Sequence, residues 1–300
     1  MSGIKRGLQR AAASCLRVPG LRGAARLAAR AGLLPQRVWR RLPVTGPVPL
    51  SLPGGAEVRY QSGLMDFLGR GLFFGGLGWW EPEILRVLPV LARHACGVLD
   101  VGAHTGLFTL IALAESPTAQ AVALEPVMAN AQLLHANLRE NGLAGRCVVV
   151  VAAAAAAPGV VDFDPGPVEV PMTAAIRVGA AGGGMRVPAV SLDSIAGWVP
   201  TVDLVKIDVE GFEHLVLEGG RETLTRHRPT LVIECLPGSR VEDFAELWDQ
   251  LGYRRFHLLS DRVDPIPVVR PAADAPTHNY LFTARPDVVT AVTALPRDGS

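Results

Sequence analysis

The sequence predicts an α/β fold in which a mostly parallel sheet carries helices on both faces. The prediction rests on three apolar segments, each of which leads to a carboxylate, and these carboxylates are Asp100, Glu125 and Asp208. Short continuous apolar runs of this kind are typical of strands that are buried on both faces. Because ligands bind at the carboxyl edge of open α/β sheets, we expect the three carboxylates to meet at one site.

The first 41 residues differ from the rest of the chain, since they contain ten lysines and arginines and no acidic residue. Their pattern predicts two short amphipathic helices that are broken at Pro19-Gly20. Such an arm suits a membrane surface, nucleic acid or an Arg-rich organelle presequence. The alternative is a solvated helical extension that packs on the rest of the chain or is partly disordered. We expect no nucleic-acid partner, and at most a weak membrane-surface contact through residues 1–41.

The composition is that of a globular protein, because 49% of the residues are hydrophobic and 19% are charged. The formal net charge is +1, so the chain outside the basic arm is mildly acidic and offers no basic surface. The four cysteines are widely spaced without a CxxC pair, and no apolar run has the length of a membrane span. These features predict a reduced, cytoplasmic protein.

The chain is expected to divide into an extension and linker at residues 1–55, one domain at 56–285 and a tail at 286–300. The tail is expected to fray. Trp79 and Trp80 follow a glycine-rich segment just before the main sheet begins. Either could cover a bound ligand, although core packing is the preferred role for at least one of them.

Alternation and apolar periodicity place the elements of the sheet in order. Seven segments are predicted to be its strands: 98–101, 120–124, 146–151, 202–207, 229–234, 253–258 and 279–283. Helices are predicted at 84–91, 107–113, 127–140, 212–226 and 241–251. Residues 160–190 alternate short apolar segments with glycine and proline, which predicts a β insertion that includes a strand at 174–178. An insertion there would lie over the ligand edge of the sheet and help to select a substrate.

A glycine turn, bounded by Gly102 and Gly106, joins the first of these strands to a helix. Such a turn brings backbone N–H groups and the positive end of the helix dipole to one point. Glycine is favoured there because a Cβ would keep a ligand away from the backbone. The second strand ends at Glu125, where a carboxylate could accept hydrogen bonds from the two hydroxyls of an adenosine ribose.

The motifs around these carboxylates resemble those of a known family. Asp100–Gly106 is similar to motif I of class I S-adenosylmethionine-dependent methyltransferases, and Glu125–Asn130 resembles the next motif. Lys206–Glu213, followed by Leu217–Gly220, closely resembles the signature of the FkbM-type methyltransferases. The resemblance covers roughly residues 80–284. It implies a Rossmann-like class I methyltransferase fold, S-adenosyl-L-methionine as cofactor, and O-methylation of a small molecule, a sugar or a lipid-linked acceptor.

The predicted cofactor contacts lie in the glycine turn and at the strand ends. They are Asp100, Gly102, Ala103, His104, Thr105, Gly106, Glu125, Pro126, Ala153 and Asp208. Ala153 belongs to an alanine run that either leaves room for the adenine ring or forms a low-complexity turn.

The predicted catalytic residues are Asp208, then Glu210, and then His214, because an oxygen acceptor must lose its proton to a carboxylate or histidine within reach. Asp208 and Glu210 could instead cap the following helix. No metal ion is predicted, because no histidine or third acid completes a ligand set near the two carboxylates. Lys206 is expected to pair with an acid, and Glu234 on the adjacent strand is the first candidate.

Two other functions remain open. An NAD(P)-dependent oxidoreductase also uses a strand, a turn and an acid on its second strand, although Asp100–Gly106 lacks the G-x-G-x-x-G arrangement. A non-catalytic module could use the basic arm to bind membranes or nucleic acid. The acceptor of a methyltransferase cannot be read from the motifs, because fold and cofactor site do not define it.

Overall fold

The computed structural model describes residues 19–63, 66–163 and 185–296. The helices are α1 (Pro19–Arg30), α2 (Gln36–Trp39), α3 (Phe67–Gly75), α4 (Pro82–Ala92), α5 (Leu107–Glu115), α6 (Met128–Glu140), α7 (Leu192–Ile195), α8 (Glu213–Glu218), α9 (Arg221–His227), α10 (Ala245–Leu251) and α11 (Pro286–Thr293). The strands are β1 (Gly46–Ser51), β2 (Glu57–Ser62), β3 (Gly97–Val101), β4 (Gln120–Leu124), β5 (Cys147–Val150), β6 (Ala153–Ala154), β7 (Gly159–Phe163), β8 (Met185–Val190), β9 (Leu204–Ile207), β10 (Thr230–Glu234), β11 (Arg254–Leu258), β12 (Val263–Ile266) and β13 (Asn279–Thr283).

Eight strands form the main sheet in the order β12-β11-β13-β10-β9-β3-β4-β5. The strands from β10 to β5 in this order run parallel, whereas β13 pairs antiparallel with both β10 and β11. All seven predicted strands are present, and the eighth, β12, was not predicted. The α/β fold with a mostly parallel sheet is therefore confirmed.

Helices cover both faces of this sheet, and a separate apolar core lies on each face. Adjacent residues of β3 point to opposite sides, so Val98 enters one core and Leu99 enters the other. The first core contains Leu110 of α5, and the second contains Trp248 of α10. Burial on both sides explains why the central strands are continuous apolar runs.

A second, three-stranded sheet in the order β6-β8-β7 follows β5. β7 and β8 are antiparallel, and the two residues of β6 pair in parallel with β8. The β insertion between the third and fourth strands of the main sheet is therefore present. The strand predicted at 174–178 lies outside the described residues.

Two predictions about helices were wrong. The helix expected at 212–226 is two helices, α8 and α9, which are separated at Gly219-Gly220. A Cβ on Gly219 would lie 2.3 Å from the carbonyl oxygen of Ala155, so the chain passes too close there for a larger residue. The tail that was expected to fray from Pro286 forms α11 instead, because this helix buries Val292 against the domain.

The described part of the basic arm folds onto the domain. α1 packs against α3, and its Arg22 and Arg26 donate hydrogen bonds to backbone carbonyl oxygens of segment 45–49. β1 and β2 pair as a hairpin across residues 52–56, so the predicted domain boundary at residue 55 falls inside that hairpin. Within the described ranges, no helix is both long and apolar enough to cross a membrane.

Candidate active site

A cavity opens at the carboxyl ends of β3, β4 and β9, and we call it the central cavity. The predicted site residues that line it are Asp100, Gly102, Ala103, His104, Thr105, Glu125, Pro126, Ala153, Asp208 and Glu210. Gly106 and His214 are not among its lining residues. Ile84 and Leu88 of α4 and Phe108 of α5 add apolar side chains to the lining. The cavity therefore offers both apolar and acidic surfaces to a ligand.

The glycine turn between β3 and α5 forms one wall of the central cavity. Gly102 has φ 81° and Gly106 has φ 84°, a left-handed conformation that favours glycine. A Cβ on Gly102 would lie 1.8 Å from the backbone oxygen of Asp208, and a Cβ on Gly106 would lie 2.7 Å from Leu134. The close passage of neighbouring segments therefore requires both glycines, whereas the sequence argument had invoked room for a ligand.

Glu125 is buried and holds the glycine turn from the β4 side. Its Oε2 accepts the backbone N–H of His104 at 2.8 Å, and its Oε1 accepts that of Val127 at 2.9 Å. Burial raises the pKa of Glu125 to about 7, against the opposing effect of these N–H groups. One carboxyl group thus joins the turn to the end of β4 and also faces the central cavity.

The raised pKa of Glu125 predicts a pH-dependent stability. A carboxyl group with a higher pKa in the folded than in the unfolded state contributes most to stability when the pH is below its unfolded pKa. For Glu125, this contribution is lost as the pH rises through its folded pKa of about 7. The unfolding free energy of wild type minus that of Glu125→Gln should therefore fall by about 3 kcal/mol between about pH 4 and about pH 8. Urea unfolding at each pH measures this difference, and a constant difference would contradict the buried-carboxyl assignment.

Asp100 lies deeper in the same wall and is 1% exposed. Its Oδ2 accepts hydrogen bonds from both the backbone N–H and the hydroxyl of Thr109. Burial raises the pKa of Asp100 to about 6, although these bonds to Thr109 act in the other direction. Asp100 therefore fixes the first turn of α5 to the end of β3, in addition to lining the central cavity.

The β1–β2 hairpin supports the glycine turn from outside. The hydroxyl of the buried Tyr60 lies 2.6 Å from Oγ1 of Thr105. Asn137 of α6 donates a hydrogen bond of 2.8 Å to the carbonyl oxygen of Thr105 and accepts one from the backbone N–H of Gln61. The turn is therefore held in place by one segment that precedes it in the sequence and by one that follows it. Neither Tyr60 nor Asn137 was predicted to take part in the site.

Three non-glycine residues of the central cavity have left-handed backbones: Glu81 (φ 40°), His104 (φ 50°) and Glu210 (φ 57°). Among the described residues, Arg228 is the one other non-glycine residue with this conformation. Each such residue costs on the order of 1–3 kcal/mol, and strain of this kind concentrates at functional sites. Its concentration here supports the central cavity as the candidate active site.

Asp208 follows the last residue of β9, and its Oδ2 accepts a hydrogen bond of 3.3 Å from Nζ of Lys206. The next helix, α8, has Phe212 as its N-cap and no side-chain capping bond. Neither Asp208 nor Glu210 is therefore the helix cap, which was the alternative role for both.

Lys206 is buried and lines the central cavity. Besides Asp208, its ammonium group contacts Oδ1 of Asn279 at 3.4 Å. Burial alone would lower the pKa of this amine, but the surrounding carboxylates, first of all Asp208, raise it. The expected pairing of Lys206 with an acid is confirmed, but its ion-pair partner is Asp208, and the suggested partner Glu234 contributes only a longer-range charge interaction.

Three carboxyl groups meet beside Lys206, since Glu81, Asp208 and Glu234 each place an oxygen within 4.8 Å of the others. This cluster contains Asp208 but not Glu210, so it differs from the pair that the sequence suggested, and its member Glu81 comes from a loop far back in the chain. Burial and the neighbouring charges raise the pKa of Glu81 and of Glu234, so the cluster retains a proton at neutral pH. Lys206 already supplies a counter-cation to this cluster, and we assign no metal ion to it.

The expectation that at least one of the two tryptophans packs in the core is confirmed, whereas the role of covering a ligand stays a prediction. Trp79 packs in the core, with its ring centre 5.8 Å from that of Trp39. Trp80 lines the central cavity and donates its indole N–H to Oε2 of Glu81 at 3.0 Å.

Glu81 and Asn279 are the main site residues that sequence reasoning missed. Glu81 also accepts a hydrogen bond of 3.2 Å from the amide of Asn279, and both line a neighbouring cleft that we call the side cleft. Trp80 and Glu81 line the side cleft and the central cavity alike. Two features of the sequence could have indicated these residues. Glu81 is an acid between Trp80 and Pro82, and Asn279 is a polar residue at the start of the otherwise apolar strand β13.

Comparison with known proteins places the chain in a family. A family model described as "Methyltransferase FkbM domain" matches residues 100–258, which is more than half of the chain. A search among curated proteins found no match.

Several solved methyltransferase structures are similar to this chain. An FkbM methyltransferase from Methylobacillus flagellatus KT is 19% identical with a TM-score of 0.41, over 72% of this chain and 55% of that protein, so this chain spans about half the length of that protein. A SAM-dependent methyltransferase from Agrobacterium tumefaciens is 13% identical with a TM-score of 0.43, over 81% and 71% of the two chains. An O-methyltransferase from Bacillus cereus, in complex with SAH, is 14% identical with a TM-score of 0.39, over 68% and 80%.

The matched range extends from Asp100 through the Lys206–Glu213 block to the end of β11. It confirms the family resemblance of these motifs, and it supports a methyltransferase over a dinucleotide oxidoreductase. The chain therefore belongs to the FkbM family of S-adenosylmethionine-dependent methyltransferases.

Proposed function

We propose that the protein transfers the methyl group of S-adenosylmethionine to a hydroxyl group of a small-molecule acceptor. One observation carries the proposal. The central cavity brings the glycine turn and Glu125 together with two further acids, Asp208 and Glu81. Such a cavity offers the glycine turn and Glu125 to the cofactor, and Asp208 and Glu81 to a group that must lose a proton.

The cofactor is assigned to the wall formed by the glycine turn, Glu125, Pro126 and Ala153. A carboxylate offers about four lone-pair positions, and backbone N–H groups occupy one on each oxygen of Glu125. The amide of Asn130 donates to Oε1 at 3.3 Å and occupies a third. The fourth position, on Oε2, can accept a ribose hydroxyl. Pro126 and Ala153 line the cavity beside this carboxylate and supply small apolar surfaces for adenine.

Methyl transfer is an in-line displacement. The bond from the acceptor oxygen to the methyl carbon forms while the carbon–sulfur bond breaks, and that electron pair stays on sulfur, which leaves as the neutral thioether of S-adenosylhomocysteine. The acceptor proton passes to a carboxylate within hydrogen-bond reach. Asp208 is our first candidate for this base, because it lines the cavity at the end of a central strand and Lys206 fixes its position. Glu210 is the second candidate, and His214, which does not line the cavity, is the third.

The side cleft gives the acceptor a place next to the cofactor. Because Trp80 and Glu81 line both spaces, a molecule in the side cleft would meet one in the central cavity beside them. Trp80 offers an aromatic surface, and Glu81 can accept a hydrogen bond from a hydroxyl group. Arg262 of the cleft is already engaged by two aspartates, one of them Asp264, which leaves it unsuited to an anionic acceptor. We therefore favour a neutral, hydroxyl-bearing acceptor.

The proposed function can be tested with a protein-free metabolite extract and S-adenosylmethionine labelled in its methyl group. Mass spectrometry of the labelled products should find methyl ethers that are stable to mild base. Label that appears in amines, or in esters that mild base cleaves, would contradict the hydroxyl assignment.

The ribose assignment predicts that Glu125→Ala weakens S-adenosylmethionine binding by about 1–3 kcal/mol, because charge-assisted hydrogen bonds are lost. Isothermal titration calorimetry measures the change. Glu140→Ala is the matched control, since Glu140 is an exposed acid at the end of α6. Equal affinity in wild type and Glu125→Ala would remove the ribose assignment.

A further inference from the structure

Helix α1 docks on the domain with its arginines inward. The guanidinium groups of Arg22 and Arg26 lie 4.9 Å and 5.8 Å from the ring centre of Phe73. On the opposite side of the helix, Leu21 is 54% exposed and Leu27 is 70% exposed. A helix that packs on a domain in water normally buries its apolar side and exposes its charges. α1 partly buries Ala25 and Ala29 together with Arg22 and Arg26, but leaves both of its leucines exposed.

The exposed apolar surface continues beyond α1. Leu33 in the following turn is 80% exposed, and Val38 of α2 is 42% exposed. We call Leu21, Leu27, Leu33 and Val38 the outer apolar face. Large hydrophobic side chains that are exposed in one segment, with a polar rim, are typical of an interaction surface.

The segment that carries the outer apolar face is basic. Residues 19–41 contain six arginines and no acidic residue, and four of these arginines are exposed: Arg30, Arg37, Arg40 and Arg41. Residues 1–18 add four lysines and arginines, again without an acid. A second copy of this segment would therefore bring like charges together, which disfavours self-association through this face. Leucines surrounded by arginines suit the headgroup region of an anionic bilayer, where both kinds of side chain find partners.

We propose that the outer apolar face docks on an anionic membrane surface. Leu21, Leu27 and Leu33 enter the boundary between headgroups and acyl chains, and the exposed arginines contact lipid phosphates. The helix lies on the membrane and does not span it. Because α1 packs against α3, which also contributes Leu68 to the central cavity, the docked protein holds that cavity close to the lipid surface. The proposal does not depend on the reaction that the cavity catalyses.

The test is vesicle co-sedimentation of the full chain. Wild type should bind vesicles of phosphatidylglycerol and phosphatidylcholine, should bind pure phosphatidylcholine about tenfold less or weaker, and should be released by high salt. Leu27→Ser/Leu33→Ser should lower the partition coefficient about tenfold or more. The matched control is Val160→Ser/Met185→Ser, which removes two hydrophobic side chains that are 56% and 47% exposed on the β7–β8 strands. This control should bind like wild type.

Three results would overturn the proposal. Wild type could fail to bind the anionic vesicles, or both double variants could lose binding equally. Alternatively, sedimentation velocity could show a wild-type dimer that Leu27→Ser/Leu33→Ser dissociates, in which case the outer apolar face is an interface between copies. Unchanged S-adenosylmethionine affinity in both variants verifies that each is folded.

Discussion

Asp208→Asn should lower the single-turnover rate of methyl transfer by about a hundredfold or more, the usual scale of a general acid–base contribution. The substitution keeps the shape of the side chain and still lets it accept the hydrogen bond from Lys206, but it removes the carboxylate that takes the acceptor proton. The rate is measured at saturating cofactor with the acceptor found by the labelling experiment. A thermal melt of the variant verifies that it is folded.

The matched control for this substitution is Asp203→Asn, just before the start of the same strand. Asp203 accepts hydrogen bonds from the backbone N–H groups of Cys96 and Gly97 and does not line the central cavity. The Asp203→Asn variant should keep nearly the wild-type single-turnover rate. A folded Asp208→Asn protein with normal turnover would move the base to Glu81 or Glu210, the other cavity carboxylates near Asp208.

Gly102→Ala should destabilise the fold by about 3 kcal/mol or more. The left-handed backbone alone costs an alanine about 1–2 kcal/mol, and its Cβ would in addition lie 1.8 Å from the backbone oxygen of Asp208. That overlap involves two main-chain segments, so no side-chain rotation can relieve it. Denaturant unfolding measures the loss.

Gly142→Ala separates the two causes. Gly142 has φ 68°, but a Cβ there would have nothing within 4 Å, so only the backbone cost of about 1–2 kcal/mol should remain. If Gly102→Ala and Gly142→Ala lowered the free energy of unfolding equally, the close approach of Gly102 to Asp208 would be contradicted.

The strands of the main sheet and the residues of the glycine turn could be predicted because their signals are local. Burial on both faces makes each central strand an apolar run, and the glycine turn follows directly from one of them. β12 was missed for a local reason as well. It contains Pro265, which argues against a strand, and it is tolerated because β12 is an edge strand.

The complete carboxylate cluster could not be predicted, because Glu81 is distant in the sequence from the strands that carry Asp208 and Glu234. Glu234 was expected on the strand next to that of Asp208, but Glu81 joins them only when the loop before α4 packs next to β9 and β10. The orientation of α1 was missed for a different reason. Helical periodicity shows that Arg22 and Arg26 share a face and that Leu21 and Leu27 lie away from it, but it does not show which face packs on the domain. In this chain, the inner side offers Arg22 and Arg26 the ring of Phe73 and the backbone carbonyl oxygens of segment 45–49 as partners.

Calorimetric titration of the wild-type protein with S-adenosylmethionine, S-adenosylhomocysteine and NAD tests the central claim most directly. The account predicts one site that binds S-adenosylmethionine and S-adenosylhomocysteine, with no heat from NAD. It also predicts that prior saturation with S-adenosylhomocysteine abolishes the S-adenosylmethionine signal, because both occupy the wall formed by the glycine turn and Glu125. Binding of NAD with no response to S-adenosylmethionine would contradict the account.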